Sequence, residues 1–298
     1  MNRKYVLALS WLLFLLLVGV TEASAGDSSA SPDSLLLIKT RDGSVIRGTI
    51  REQDDSTITI MTLSNFEVKL PRSAIVFMEA EAGVMTPQGF RRYDRNNTRL
   101  LFAPTGRPLR KGAGYFTDCY IFFPGLAWGI TDNIGVLVGF SIIPGLGFSE
   151  QLLYIAPKIG VRASRQFAFS MGTLYATVQD EFSAGMLYAV GTAGPEEYSL
   201  TMGTGLGYTK EKNGDFRFGE HPVIMIGGYV RLSNSLGLVS ESWVITGGDA
   251  GTDEQPFSLA FRFNGDHLSA DVGAILVGKV IDKGFPAPWL SMTHNFGR

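Results

Sequence analysis

Between Tyr198 and Tyr208 the chain alternates. Leu200, Met202, Thr204 and Leu206 take one set of positions, and Ser199, Thr201, Gly203, Gly205 and Gly207 take the other. A period of two describes a strand with one bulky face and one small, weakly polar face. Ten residues at ~3.3 Å each run about 33 Å. A tilt near 40° projects that to about 25 Å, the height of the apolar band on an outer-membrane barrel with aromatic residues at both rims. The pattern recurs. Val136, Val138 and Phe140 oppose Gly135, Gly139 and Ser141; Phe257, Leu259, Phe261 and Phe263 oppose Ser258, Ala260 and Arg262; Leu268, Ala270, Val272 and Ala274 oppose Ser269, Asp271 and Gly273. Residues 167–177, 183–191, 216–232 and 235–246 repeat it less cleanly.

Connectors between these runs alternate in length. Thr131-Asp132-Asn133, Ser233-Asn234 and Asn264-Gly265-Asp266 are tight hairpin signals, while 144–149, 193–197, 210–215 and 247–255 are longer. Tight turns on one side and long loops on the other are the habit of outer-membrane barrels. The expected fold is all-β: an antiparallel transmembrane barrel of about 12 strands over residues 98–298, with 10 as the alternative count. The front is ambiguous. Residues 113–131 read as one long strand or as a hairpin broken at Pro124-Gly125, and Leu100–Ala103 either pairs or does not. Pro157 predicts a bulge or an interruption in the strand around it.

Residues 35–78 have a different texture. Leu35–Thr40, Val45–Arg51, Thr57–Thr62, Phe66–Leu70 and Ala74–Met78 are five short β-rich runs. Asp42-Gly43, Asp54-Asp55-Ser56, Ser64-Asn65 and Pro71-Arg72 punctuate them with turn chemistry. None is long enough to cross a membrane, so a separate, water-facing periplasmic β-domain is expected there. A polar linker over 79–97 should join it to the barrel. Residues 26–34 read as a flexible leader. Residues 1–25 read as a signal peptide: basic Asn2-Arg3-Lys4, apolar Val6–Val20 and an Ala23-Ser24-Ala25 cleavage site. The apolar run is shorter than a spanning helix needs. The expected location is therefore the bacterial outer membrane.

Composition agrees. Of 298 residues 36 are glycine, above the usual ~7%, which calls for closely packed interior faces or many turns. Charged residues are only 18% and the formal net charge is −2, so no basic surface points to nucleic acid. Cys119 is the sole cysteine and reads as a small apolar strand residue, with no disulfide and no thiolate metal site.

The stretch Asp42-Gly43-Ser-Val-Ile-Arg-Gly48-Thr-Ile, with Ile58–Met61 and Ile75-Val76-Phe77, resembles the small Sm-like or SH3-like five-stranded barrel. Further along stand Arg99-Leu-Leu-Phe-Ala-Pro-Thr-Gly106 running into Lys111-Gly-Ala-Gly-Tyr115, Gly129-Ile-Thr-Asp-Asn133 and the closing aromatic strand. On these segments, roughly residues 97–298, the chain resembles uncharacterised bacterial outer-membrane β-barrel proteins with a small N-terminal β-domain. The resemblance implies a fold and carries no activity. Phe296 is followed by Gly297-Arg298, a departure from the usual aromatic last residue.

Candidate chemistry is sparse. His221, His267 and His294 have no Gly-x-Ser-x-Gly motif beside them and no metal-ligand spacing. Gly203-Thr-Gly205-Leu-Gly207 lies inside a strand, with no following helix and no Lys-Ser/Thr, so it is not a phosphate loop. The informative set is charge. Alternation places Lys158, Arg162, Arg231, Glu241, Arg262, Asp271 and Lys279 opposite bulky residues, where a lipid-facing cation would cost ~2–4 kcal/mol. Two expectations follow for these lumen-facing candidates. They pair with one another and fill the barrel, or, as five cations against two acids, they favour anions. No catalytic, cofactor-binding or metal residue is expected and no cofactor is called for. The partners expected are outer-membrane lipid and a small anionic solute. Function reads as passive passage or binding of small solutes or a structural role. A lipid-modifying enzyme in the membrane and a soluble exported β-protein are the alternatives, and the sequence says nothing of oligomeric state.

Overall fold

A computed structural model describes residues 35–81, 83–86, 89–92, 94–178, 182–211, 214–247, 255–265, 267–277 and 286–297. The signal-peptide and leader expectations, and Lys279, lie outside them. The described chain forms two units, each built from its own contacts.

The first is a five-stranded antiparallel sheet in the order β4-β3-β2-β1-β5: β1 (Leu35–Thr40), β2 (Val45–Gln53), β3 (Thr57–Thr62), β4 (Glu67–Pro71) and β5 (Ile75–Glu81). Register shifts at Lys39/Thr40 and at Ile50/Glu52 bend it. The bend buries Ile38, Ile58 and Ile60, with Leu36, Ile46, Ile50, Leu70 and Ile75 packed around them. Turn residues act as their chemistry suggests. Asp42 accepts from Ser44 N and Asp54 from the backbone of Ser56 and Thr57. The stretch read as a linker carries the end of β5 and a short hairpin, β6 (Gly83–Thr86) with β7 (Gly89–Arg92).

The second unit is a closed antiparallel barrel of 12 strands. In chain order they are β8 (Gly114–Cys119), β9 (Phe123–Gly129), β10 (Ile134–Phe140), β11 (Leu152–Arg162), β12 (Phe167–Val178), β13 (Phe182–Ala193), β14 (Tyr198–Glu211), β16 (Val223–Arg231), β17 (Leu236–Ile245), β18 (Phe257–Asn264), β19 (Leu268–Leu276) and β20 (Ala287–Phe296). A two-residue strand, β15 (Arg217–Phe218), folds back on β14 outside the ring. Each wall strand pairs with its successor, β14 with β16, and β20 returns to β8, with Phe296 opposite Gly114 and Ser291 opposite Cys119. No wall edge is left open.

The wall begins at Gly114, not at 98, and residues 113–131 are a hairpin. Its turn falls at Tyr120 and Ile121, both at positive φ, and Pro124-Gly125 sits inside β9. Residues 216–232 are not one strand: Pro222 has no N–H to give a ladder, and β16 starts after it. Pro157 produces no bulge. Ile155 faces Tyr175 and Lys158 faces Gly172 in one register, so pairing is interrupted but not shifted.

Alternation sorts the wall cleanly. Leu200, Met202, Phe261, Phe263, Val272, Leu290 and Met292 are exposed on the outer face, and Thr201, Ala260, Arg262, Asp271 and Thr293 are buried on the inner one. The short connections after β9, β11, β13, β16 and β18 share one end of the barrel with both ends of the wall, Gly114 and Phe296; the one after β13 was expected among the long loops. The longer connections after β10, β14, β17 and β19, described over 141–151, 214–222, 246–247, 255–256, 277 and 286, share the other.

Candidate functional site

The lumen is occupied by the protein's own chain. Residues 94–112 enter beside the short-turn end, where the Asn96 amide meets Ser269 Oγ. They climb to a tip at Leu101–Ala103 and return to the same end, where Gly112 N donates to Gly129 O at 2.9 Å. Leu100 N to Ala103 O at 2.8 Å and Thr105 N to Thr98 O at 3.0 Å close this narrow hairpin. Pro104, Gly106 and Pro108 interrupt any run that could join a ladder. Asp94 starts the turn by accepting from Asn96 N at 2.8 Å.

Polar groups of the wall hold this segment chiefly by its backbone. Glu241 Oε2 accepts from three successive tip N–H groups, Leu101 at 3.1 Å, Phe102 at 3.0 Å and Ala103 at 3.0 Å. Its Oε1 accepts from Trp243 Nε1 at 2.6 Å. Successive N–H groups converging on one oxygen make an anion nest, here filled by a buried carboxylate. Across the barrel Lys158 Nζ donates to the carbonyls of Thr98 at 3.0 Å and Arg107 at 2.9 Å, with Thr105 at 3.4 Å. Arg262, 1% exposed, holds Asp271 through two bonds of 2.7 and 3.0 Å. It also reaches Asp94 at 3.3 Å and Leu100 O at 2.6 Å. Arg99 donates to Leu101 O and to Thr293 Oγ1 and stands 3.7 Å from Asp271. Arg107 ties the returning arm to Gly194 O and Pro195 O, each at 2.9 Å.

Apolar packing completes the seal. Leu100, Leu101 and Ala103 share a buried cluster with Val190, Met225, Tyr229, Val239, Ala260 and Trp289. Two glycines let the chains approach. A Cβ on Gly227 would lie 2.4 Å from Leu100 Cδ1, and one on Gly106 only 2.2 Å from Ala168 O. Phe102, at the tip, is the exception: 62% exposed, it lies 6.3 Å from the Trp243 ring.

Of the residues singled out from sequence, Lys158, Glu241, Arg262 and Asp271 bind the segment or one another in the lumen. Arg162 lies at the short-turn rim, 3.3 Å from Glu196. Arg231 is 8% exposed. Among the described residues it has no ion-pair partner, and its Nη1 is buried without a hydrogen bond. Of the histidines, His267 stacks on His294 at 6.1 Å near the short-turn end, with its Nδ1 3.4 Å from Arg95 Nη1 of the segment, and His221 lies in a connection at the long-loop end. No group of three potential metal ligands occurs among the described residues. Sequence reasoning missed Asp94, Arg99, Arg107 and the tip backbone. The available signal was Arg99–Gly106 itself, apolar but not alternating, which cannot serve as a wall strand.

A closed, even-stranded antiparallel barrel with an apolar outer face is an outer-membrane, porin-like β-barrel. Among the described residues no helix is long and apolar enough to cross a membrane. No family model and no curated protein matches the chain. Among solved structures it is similar to the NanC porin in a rhombohedral crystal form, with 8% identity over 62% of this chain and 96% of that one and a TM-score of 0.38. The class rests on the strand ring itself.

Proposed function

We propose that the protein is an outer-membrane channel for small solutes, held shut at rest by residues 94–112. The observation that carries this is the way the segment is attached. The wall ring closes through β8 and β20 without it. Both its arms leave at one end, so withdrawal breaks no ladder bond of the barrel. It is held by a few side chains, Glu241 foremost, that grip main-chain groups. A filler fixed for good could have been another apolar core; this one depends on buried charges that cost free energy to keep dry. The short-turn end is then periplasmic, as in barrels of this kind. This reading assigns no catalytic step.

The test is planar-bilayer conductance of the full chain against Glu241→Ala. Wild type should be silent or flicker, and the variant should show long-lived open steps. If Glu241→Ala and Gly106→Val barrels that still shift mobility on boiling are both as silent as wild type, the channel reading falls. A permanently filled, structural barrel is then what remains.

A further inference from the structure

We infer that the charges which grip the segment become the selectivity residues of the open lumen, and that this lumen favours small anionic solutes through Lys158 and Arg231. The inference rests on the channel reading above and goes beyond it to substrate class.

Among the described wall-strand residues, the lumen side carries Lys158, Arg262, Glu241 and Asp271, with Arg162 and Arg231 at the short-turn rim as the last residues of β11 and β16. Arg262 and Asp271 sit opposite each other on neighbouring strands, joined by bonds of 2.7 and 3.0 Å that do not involve the segment. That pair stays neutral whether the segment is present or not. Arg162 is likewise matched by Glu196 at the rim. What remains is Lys158 and Arg231 against Glu241.

In the closed barrel Lys158 has only carbonyl dipoles for partners, all three from the segment. Withdrawal strips it of every one. Among the described residues Arg231 has no carboxylate partner even now, and one guanidinium nitrogen is buried without an acceptor. A buried guanidinium left in this condition is expensive to keep and marks a place where an anion would be welcome. Both cations lie toward the short-turn end of the barrel, Arg231 at the last residue of β16 and Lys158 four residues from the end of β11. Glu241 sits near mid-depth on β17. An anion would therefore pass two unmatched cations and one acid. Each unmatched charge, acting over about half a lumen in a water-like medium, changes local ion concentration roughly twofold.

The experiment needs an opened barrel that keeps all its wall charges. Gly106→Val supplies it, because its Cβ meets the Ala168 carbonyl at 2.2 Å and must unseat the returning arm. Glu241→Ala is a second, independent opener. Reversal potentials in a potassium chloride gradient should show chloride preferred in Gly106→Val. Lys158→Gln and Arg231→Gln, which keep hydrogen-bond donors, should together bring the chloride-to-potassium permeability ratio to about one or below. Mobility shift on boiling checks that each variant is a folded barrel. A conducting Gly106→Val barrel that prefers potassium or neither ion overturns the inference and leaves the channel standing. So does a chloride preference that survives both glutamines. If neither opener conducts, the channel reading itself has failed, and selectivity with it.

Discussion

Trp243 donates its indole N–H to Glu241 at 2.6 Å, two residues away on the same inward face of β17. That bond aims the other carboxylate oxygen at three backbone N–H groups of a segment some 140 residues earlier. Ordinary period-two geometry sets both side chains inward. The contact turns a strand residue into a latch.

The first prediction concerns that latch. Glutamine at 241 cannot accept from both Trp243 and the tip, because one of its two heads is a donor. Glu241→Gln should weaken the tip by ~2 kcal/mol, a loss of charge-assisted bonds. Amide exchange at Leu101, Phe102 and Ala103 should then quicken roughly 30-fold. Trp243→Phe, which removes only the orienting bond, should have a smaller effect. Unchanged exchange at those three amides in Glu241→Gln would mean that packing by Leu100 and Leu101, not the carboxylate, holds the segment.

The strand ring was legible because a membrane wall imposes one rule on every strand, bulky out and small or polar in. Phe257–Phe263 and Leu268–Leu276 obey it almost residue by residue. What fills the ring was not legible. Leu100, Leu101 and Ala103 are apolar, and alternation offers no way to see that an apolar run faces inward without belonging to a strand. Arg262 and Asp271 are nine residues apart in sequence, and their pairing follows from one hairpin register. The Glu241 contacts bridge about 140 residues through backbone donors, to which residue identity gives no clue. Pro157 was legible in part: the expected interruption falls in its pairing with β12, and no bulge forms because the register on either side is already set by long pairings.

A second prediction separates the two faces of β18. Leu259 is exposed toward lipid, so Leu259→Arg should lower barrel stability by ~2–4 kcal/mol, read as a lower urea midpoint in lipid vesicles. Ser258 is buried on the inner face and faces Glu241 across the ladder. Ser258→Arg should leave the wall assembled but expel the tip, appearing as conductance rather than as failed folding. Equal loss of assembly in both variants would contradict the outward and inward assignment.

The third prediction lies in the five-stranded sheet. Asp54 accepts from Ser56 Oγ and N and from Thr57 N and Oγ1, at 2.7 to 2.8 Å, and these bonds hold its carboxyl well below the usual range. A depressed folded-state value means the contribution of Asp54 is fully present above the ordinary carboxylate pKa. It is lost as pH falls through the folded one. The Asp54 carboxyl carbon should therefore show no titration step near pH 4 in a nuclear magnetic resonance series. Asp54→Asn should abolish the acid-side dependence at this turn. An ordinary midpoint near 4 would show that the turn is not closed by that carboxylate in solution.

The last prediction uses trypsin to read the segment's burial. Arg99 and Arg107 lie on the two arms of the segment. The Arg99 side chain is 10% exposed and engaged with Thr293 and Asp271, and Arg107 is buried against Gly194 and Pro195. Cleavage needs several residues around the scissile bond to adopt an extended, accessible form, which a hairpin packed inside a barrel cannot offer. In folded wild type, the Arg99–Leu100 bond should resist trypsin while the barrel persists as a protected fragment. In Gly106→Val that bond should become cleavable without loss of the barrel; Arg107 precedes Pro108 and is no trypsin site in either form. In whole cells the newly cleavable bond should be reached only after the outer membrane is permeabilised, since both arms leave by the short-turn end. Cutting at Arg99 in intact cells would place that end outside and invert the topology. Resistance of Arg99 in every opened variant would show that the segment never leaves the lumen.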